Sequence, residues 1–407
     1  MAGGKKSRAS GPAPPSRTLV LDNGAYTIKA GFVLGDHTDE PRIIPNCLAR
    51  DRHRKVYVGS ELDKCKDFGE MAFRRPVEKG FIVNWEAQKE IWDREFFDDK
   101  APQRCDPSET RLVLAEQPNA LPALQLHCDQ MVFEEFGFAS YCRVPGHSHT
   151  TVTPILQGRP LHPAIRRLDV GGKLLTNHLT RLLSVRHFDM RNDPYLVNEM
   201  KESACYISLD FSSDLEHSWK GTRGERRPSY LAGSAGIARD YVLPDSHTRF
   251  HGAVRDYDPT IRKKGGTAAE DVLTLRNERF AVPELLFRPS DVGMRQPGLG
   301  DLVMQSLGAL PVGLWPAMLA NVVCVGGNVL LENFVQRLQR EVLERVPDVC
   351  IVRVARPEEP VVSTWRGAAR FAVHEHVERV VVTRGEYEEF GAGWVARRFA
   401  GGVGVDS

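Results

Sequence analysis

The chain reads as an α/β protein, and three observations predict this. Short apolar runs alternate with amphipathic stretches, glycine pairs stand where apolar runs end (Gly171-Gly172 and Gly326-Gly327), and an apolar hairpin occupies Thr18 to Phe32. Alternation of this kind builds sheets covered by helices, with ligands at the carboxyl ends of the strands. A length of 407 residues allows two or three domains and a substantial core. Hydrophobic residues at 42% beside charged residues at 26% match an ordinary globular balance, and a formal net charge of +1 gives the whole molecule no general attraction to nucleic acid or membrane. No apolar run is long enough to cross a bilayer, and the N-terminus lacks the apolar stretch of a secretory signal. Eight cysteines without a Cys-x-x-Cys pair read as isolated thiols in a reducing compartment, not as a disulfide framework or a zinc site.

Residues 1–17 carry Lys5, Lys6, Arg8 and Arg17 and no acid, the composition of a disordered basic arm. The hairpin follows, with two antiparallel strands expected to meet in a tight turn at Asp22-Asn23-Gly24. Small residues in such a turn let backbone N–H groups approach a phosphate chain. Asp22 stands where it would hold a hydrated divalent cation, and Lys29 where it would meet a phosphate oxygen. Strands are expected at Arg42–Pro45 and Lys55–Val58, and a helix from near Ser60. An extended segment, Arg74 to Trp85, leads into a helix over Glu86–Phe97 with Ile91, Trp92 and Phe96 on one face. Thr110–Ala115 is a buried strand, and Leu121–Phe136 a helix with Pro122 in its first turn.

Further along, Leu168 to Gly172 ends a strand and opens a helix over Lys173–Leu182. A helix over Tyr195–Ser203 precedes a strand at Cys205–Ser208. Residues 212–270 are polar and weakly patterned and read as an elaborated loop region. Their basic clusters, Arg223–Arg226–Arg227 and Arg262–Lys263–Lys264, are candidate DNA contacts, although runs of like charge commonly do no more than solvate a loop. Asn321–Asn328 is a strand entering a Gly-Gly turn, followed by a helix over Leu331–Arg345 and a strand over Val349–Val354.

Four segments resemble the actin family: the hairpin around Asp22 and Lys29; Arg75-Pro-Val-Glu-Lys-Gly-Phe-Ile-Val-Asn-Trp85 with its helix; Lys201-Glu202-Ser-Ala-Cys-Tyr-Ile207; and Val323-Cys-Val-Gly-Gly327. Within that family the chain is similar to the nuclear actin-related subunits of Swr-type chromatin remodelling complexes. This likeness rests on Asp240 to Asp245, Leu275 to Phe287, Pro289 to Gly293 and Val382 to Glu389, with Pro45-Asn-Cys47 and Lys55 to Gly59. The resemblance implies an actin-like ATPase fold of the ribonuclease H-like type, with two lobes around a nucleotide cleft. The first lobe would cover 18–150, with a short small-subdomain insertion near 46–75 and a truncation near 138–146. The second would cover 151–360 and include 212–270, and residues 361–407 would return to the first lobe.

Carried over motif by motif, the resemblance puts Asp22, Asn23, Gly24 and Lys29 in the first phosphate grip, with Asp22 reaching Mg through water. Lys201 and Glu202 would lie by the ribose and adenine. Gly326 and Gly327 would give the nucleotide room, and Gly171 and Gly172 would close the second half of the cleft. The second phosphate grip departs from the family. An Asp-Ser-Gly turn is expected, yet Val144 and Pro145 stand before Gly146. The crossover that should precede it needs a dozen or more residues, and there is no room for one between Phe138 and Gly146. Thr151 falls at the family's histidine position, with His149 two residues earlier, and His147 and His149 have no partner motif for a metal. ATP with Mg is therefore expected to bind weakly and without hydrolysis.

The expected role is a non-catalytic remodeller subunit of the nucleus, with some in the cytoplasm. It would dock partner subunits and contact nucleosomal histones and DNA, with no membrane role. An active ATPase or sugar kinase of the same fold, or a cytoskeletal polymer subunit, is the alternative. The short charged stretch Glu61–Asp67 and the enlarged 212–270 region argue against self-assembly.

Overall fold

A computed structural model describes residues 15, 17–34, 37–146, 149–223, 236–244, 250–257 and 271–400. The arm at 1–14 and 16, Arg226, Arg227, Arg262–Lys264 and His147 lie outside the described residues. The first lobe is built on a seven-stranded sheet. Strand β1 (Arg17–Asn23) pairs antiparallel with β2 (Thr27–Leu34), whose far side meets β3 (His37–Thr38) and β4 (Arg42–Pro45). A small side sheet joins β5 (Leu48–Arg50) to β6 (Val56–Val58) and β7 (Ala72–Arg74). Hairpin β8 (Val77–Glu78) and β9 (Phe81–Ile82) turns through Lys79 and Gly80, both at positive φ. Helix α1 (Trp85–Trp92) continues as a wider turn to Phe97. Strand β10 (Thr110–Glu116) lies parallel to β1, and helix α2 (Pro122–Gln130) leads to β11 (Ser140–Pro145), parallel to β10.

Strand β12 (Thr150–Val152) opens the second lobe. A short hairpin, β13 (Ile155–Leu156) and β14 (Arg159–Pro160), precedes β15 (Arg166–Leu168), which pairs antiparallel with β12. Helices α3 (Gly172–Arg186), α4 (Pro194–Ala204) and α5 (Phe211–Arg223) follow. Then β16 (Arg239–Val242), β17 (Ala253–Asp256) and β18 (Val272–Leu275) make a three-stranded sheet with β16 in the middle. Helices α6 (Glu278–Glu284), α7 (Leu299–Leu307) and α8 (Trp315–Leu319) lead to β19 (Val322–Val323), and α9 (Phe334–Leu343) carries the chain to β20 (Val354–Ala355), parallel to β19. The chain then returns to the first sheet. Helix α10 (Ser363–Ala372) seats Trp365 beneath β1, with Nε1 donating to the Val20 carbonyl at 2.9 Å. After α11 (Val377–Val380), strand β21 (Val382–Thr383) pairs with β11, and α12 (Arg384–Phe390) and α13 (Ala392–Ala400) finish the described chain.

Apolar burial explains most of these elements. Leu19, Leu21, Ile28, Leu112, Leu114 and Tyr141 alternate onto one face of the first sheet, against Ile91, Trp92 and Phe96 of the α1 segment. Val20, Val113 and Cys142 fill the other face, under α10. Gly31 is needed there because a Cβ would stand 2.6 Å from the Trp365 ring. Among the described residues no helix is long and apolar enough to cross a membrane.

Several expectations need correction. No two-residue turn closes the first hairpin: Asn23 pairs with Ile28, leaving four residues, Gly24–Thr27, between the paired positions, with the bend itself over Gly24–Tyr26. Arg17 belongs to β1 and stacks on Phe32 at 4.6 Å, so it is not part of the arm. Near Ser60 there is only a short 3-10 helix, Gly59–Lys64. Cys205–Ser208 makes a single bridge, Tyr206 to Glu332, instead of a strand. The supposed loop region holds α5, β16 and β17, because Tyr241 and Val242 bury against the second-lobe core despite the polar sequence around them. Strands expected over 321–328 and 349–354 shrink to two residues each.

Candidate nucleotide cleft

The residues expected to form the first grip are held from behind. Asp22 and Lys29 face each other across β1 and β2, both buried, with Lys29 Nζ 3.7 Å from Asp22 Oδ2. Burial raises the Asp22 carboxyl above its ordinary value, and Lys29 opposes the rise. Gly24 has no room for a side chain, since a Cβ would stand 2.6 Å from the Thr27 carbonyl oxygen. Its N–H donates to the Asp22 carbonyl at 3.0 Å.

Asn23 turns away from this pair. Its Nδ2 donates to Gln88 Oε1 at 2.9 Å, and its Oδ1 accepts from Trp92 Nε1 at 3.3 Å. Gln88 Nε2 donates to Asn46 Oδ1 at 3.2 Å, and Asn46 Nδ2 donates to the Gly24 carbonyl at 2.8 Å. Asn23, Gln88 and Asn46 thus form a buried amide network that ties the bend to α1. Sequence reasoning missed Asn46 and Gln88. The available signal was a polar residue on the apolar face of a helix, where burial demands a hydrogen-bond partner.

The bend also touches the second lobe. Arg75 of the actin-like segment stacks on Tyr26 at 4.2 Å and donates to its carbonyl at 3.2 Å. Tyr26 Oη accepts from Asn198 Nδ2 of α4 at 3.2 Å. The same Nδ2 donates to Glu202 Oε1 at 2.9 Å, while Asn198 Oδ1 accepts from Lys201 Nζ at 2.7 Å. Lys201 is buried and also donates to Thr176 Oγ1 at 3.1 Å, whereas most of the Glu202 side chain is exposed. Burial lowers the Lys201 ammonium below its ordinary value, against the charge of Glu202.

The glycine pairs complete the arrangement. A Cβ on Gly172 would lie 3.5 Å from Asn328 Oδ1 and 3.6 Å from Lys201 Nζ, so the turn after β15, α4 and the turn after β19 meet here. Beside Gly171 lies the His149 ring, whose Nε2 is 3.5 Å from Asp169 Oδ1. Burial and the charge of Arg167 hold His149 below its ordinary value. Gly326 has φ +99° and donates its N–H to the Pro360 carbonyl at 2.8 Å. Neither Gly326 nor Gly327 has an atom within 4 Å of a built Cβ, which leaves open space at this turn. Gly146 stands apart. Its N–H donates to the Glu116 carbonyl at 2.7 Å, and a Cβ would meet Ala115 at 2.8 Å, so it packs against the end of β10.

One half of the site therefore fits a nucleotide with its metal: a carboxylate and an ammonium on a glycine bend, a buried lysine, and two glycine turns with space beside them. The other half lacks a phosphate-gripping hairpin at Val144 to Gly146. A separate groove of about 590 Å³ runs between Leu209 and Arg345 on the second lobe. Its Arg337 is paired with Glu284 and Glu341, and its Arg345 with Asp301, so these cations already serve the fold.

Two lobes, a hairpin with Asp22 and Lys29, and glycine turns facing α4 are the features of an actin-like protein. The sequence pattern of actin matches residues 13–145 and again 145–400, and the chain belongs to the actin family. It is 70% identical to actin-related protein 6 of Neurospora crassa over 441 aligned positions, covering 99% of each chain. It is also 43% identical to actin-like protein arp6 of Aspergillus fumigatus, covering 95% of each chain. Identity to actin-related protein 6 of Arabidopsis thaliana is 32%, over 94% of this chain and 99% of the relative.

Proposed function

We propose that the chain is a non-catalytic subunit of a Swr-type chromatin remodelling complex, which exchanges a canonical histone for its variant. In this reading it is a folded platform that docks partner subunits and contacts the nucleosome, while a separate motor subunit hydrolyses ATP. It works in the nucleus, with some of it in the cytoplasm. The observation that carries the reading is similarity along the whole chain to proteins named actin-related protein 6, together with the segments that depart from conventional actin, such as Leu275 to Phe287. The 407-residue chain makes no second phosphate grip at Val144 to Gly146, so this chain by itself is expected not to turn over ATP, because phosphoryl transfer depends on charge stabilisation and a positioned water from both sides of the cleft.

ATP with Mg, where it binds, is held by Lys29 and by Asp22 through water, with Lys201 and Glu202 beside the adenosine. Affinity isolation of the native protein from nuclei is expected to recover a remodelling assembly, and recovery as a free chain would defeat the reading. The purified chain is expected to show no ATPase activity above its Asp22→Ala variant. It is also expected to stay in the supernatant on sedimentation with ATP and Mg. Turnover lost in the variant would favour an enzyme, and pelleting would favour a polymer.

A further inference from the structure

The two lobes repeat one another, and the comparison exposes a vacant place. In the first lobe β1 joins the sheet together: it pairs antiparallel with β2 on one side and parallel with β10 on the other, and β10 pairs parallel with β11 through α2. In the second lobe the antiparallel pair β12 and β15 matches the hairpin side, and β19 with β20, joined through α9, matches the parallel side. Among the described residues β12 pairs only with β15, and β19 only with β20. Nothing there corresponds to β1. Both pairs nevertheless pack into one core, which takes in Val152, Leu168, Val322 and Val354.

Strand lengths follow from this. The first-lobe strands β1, β2, β10 and β11 run 7, 8, 7 and 6 residues, whereas β12, β15, β19 and β20 run 3, 3, 2 and 2. A strand persists only as far as it has a neighbour, and a parallel pair of two residues is a remnant. Val323 of β19 is 65% exposed.

Among the described residues one junction marks where the absent strand would come from. Strand β11 ends at Pro145 and β12 begins at Thr150, too close for a crossover helix and a strand. The actin match divides at residue 145. Alignment with the Neurospora relative spans 441 positions against a chain of 407, so at least 34 positions of that relative (441 less 407) have no counterpart here. A helix of three or four turns, a strand of about six residues and two connections need roughly 30 residues.

We propose that the native protein carries a further segment of at least about this length between Pro145 and Gly146, and that its last part fills the place between β12 and β19. There it runs antiparallel to β12 and parallel to β19. Buried on both faces, it reads as a nearly continuous apolar run. The inference does not depend on the remodeller reading, which is tested by partners; it bears only on turnover, since the added segment enters where the second phosphate grip is wanting.

Tryptic mass spectrometry of the native protein tests it. Trypsin cuts after Arg143 and not before Pro160, so the sequence as it stands yields the junction peptide Val144–Arg166. The expected result is that this peptide is missing from the native protein, whose intact mass lies above 45.5 kDa and whose transcript is longer between the codons for Pro145 and Gly146. Val144–Arg166 as the sole junction in the native protein would overturn the proposal. Hydrogen exchange on the recombinant 407-residue chain adds a second arm. Amides of β12 and β19 are expected to exchange far faster than those of β1. Equal protection in the isolated chain, or protection gained on self-association or with a partner strand, would also overturn it.

Discussion

At Arg143 one guanidinium serves two carboxylates, one buried and one partly buried. It donates to Asp129 and to the Gln125 carbonyl, and its Nε lies 3.6 Å from Glu116 Oε2. Burial pushes the Asp129 carboxyl up to about 6, with Arg143 opposing, and raises Glu116 as well. A folded-state value above the unfolded one means that the native protein binds the proton more tightly. The resulting stability is complete below about pH 4, the unfolded value, and is lost as pH rises through about 6. Urea unfolding measured from pH 4 to pH 7 is therefore expected to show a steeper loss in the wild type than in Asp129→Asn. The difference is at most about 3 kcal/mol, and parallel curves would contradict it. At this scale the sequence was legible where chemistry repeats a motif, as for Asp22 and Lys29. It was not legible where a polar side chain meets a partner far along the chain, as Asn23 meets Gln88, 65 residues away.

Among the elements, α10 has the clearest structural task. Trp365 is fully buried, closes over Gly31, and bonds a carbonyl in the middle of β1. Trp365→Ala is expected to cost about 3–5 kcal/mol, read as a lower urea midpoint, because it opens a cavity beneath the central strand and removes the indole hydrogen bond to the Val20 carbonyl. Trp365→Phe, which keeps most of the volume, is expected to cost less. Several helices were legible in the sequence because burial on one face leaves a 3.6-residue rhythm: Ile91, Trp92 and Phe96 were placed correctly, as were the helices at 122–135 and 194–204, whereas α5 was read as loop. The strands over 321–328 and 349–354 were read too long, because their apolar residues mark a propensity that only a neighbouring strand can realise.

Across the whole molecule, the mouth of the cleft is pinned by contacts between the lobes. Phe68 of the side-sheet region stacks on Tyr195 of α4 with centroids 4.1 Å apart, and the Glu70 N–H donates to Asp193 Oδ1 at 3.2 Å. On the hairpin side Arg167 Nη2 donates to the Lys79 carbonyl at 2.9 Å. Stacked rings of this kind contribute about 1 kcal/mol beyond their burial. Tyr195→Ala is therefore expected to speed amide exchange in residues 60–72 about five-fold, leaving β1 and β10 unchanged. Unchanged exchange at the mouth would show that the stack does not hold the lobes. By itself the sequence determined the family, the α/β class, the helices beginning near 85, 122, 172, 194 and 334 and the Asp22–Lys29 hairpin, since each is written in local rhythm or in a short motif. Only the tertiary structure decided which amides hold that hairpin, how far the second-lobe strands extend, and that their sheet stands in two pieces. Pairing across a sheet joins residues distant in the chain, and local sequence does not reveal whether the partner is there.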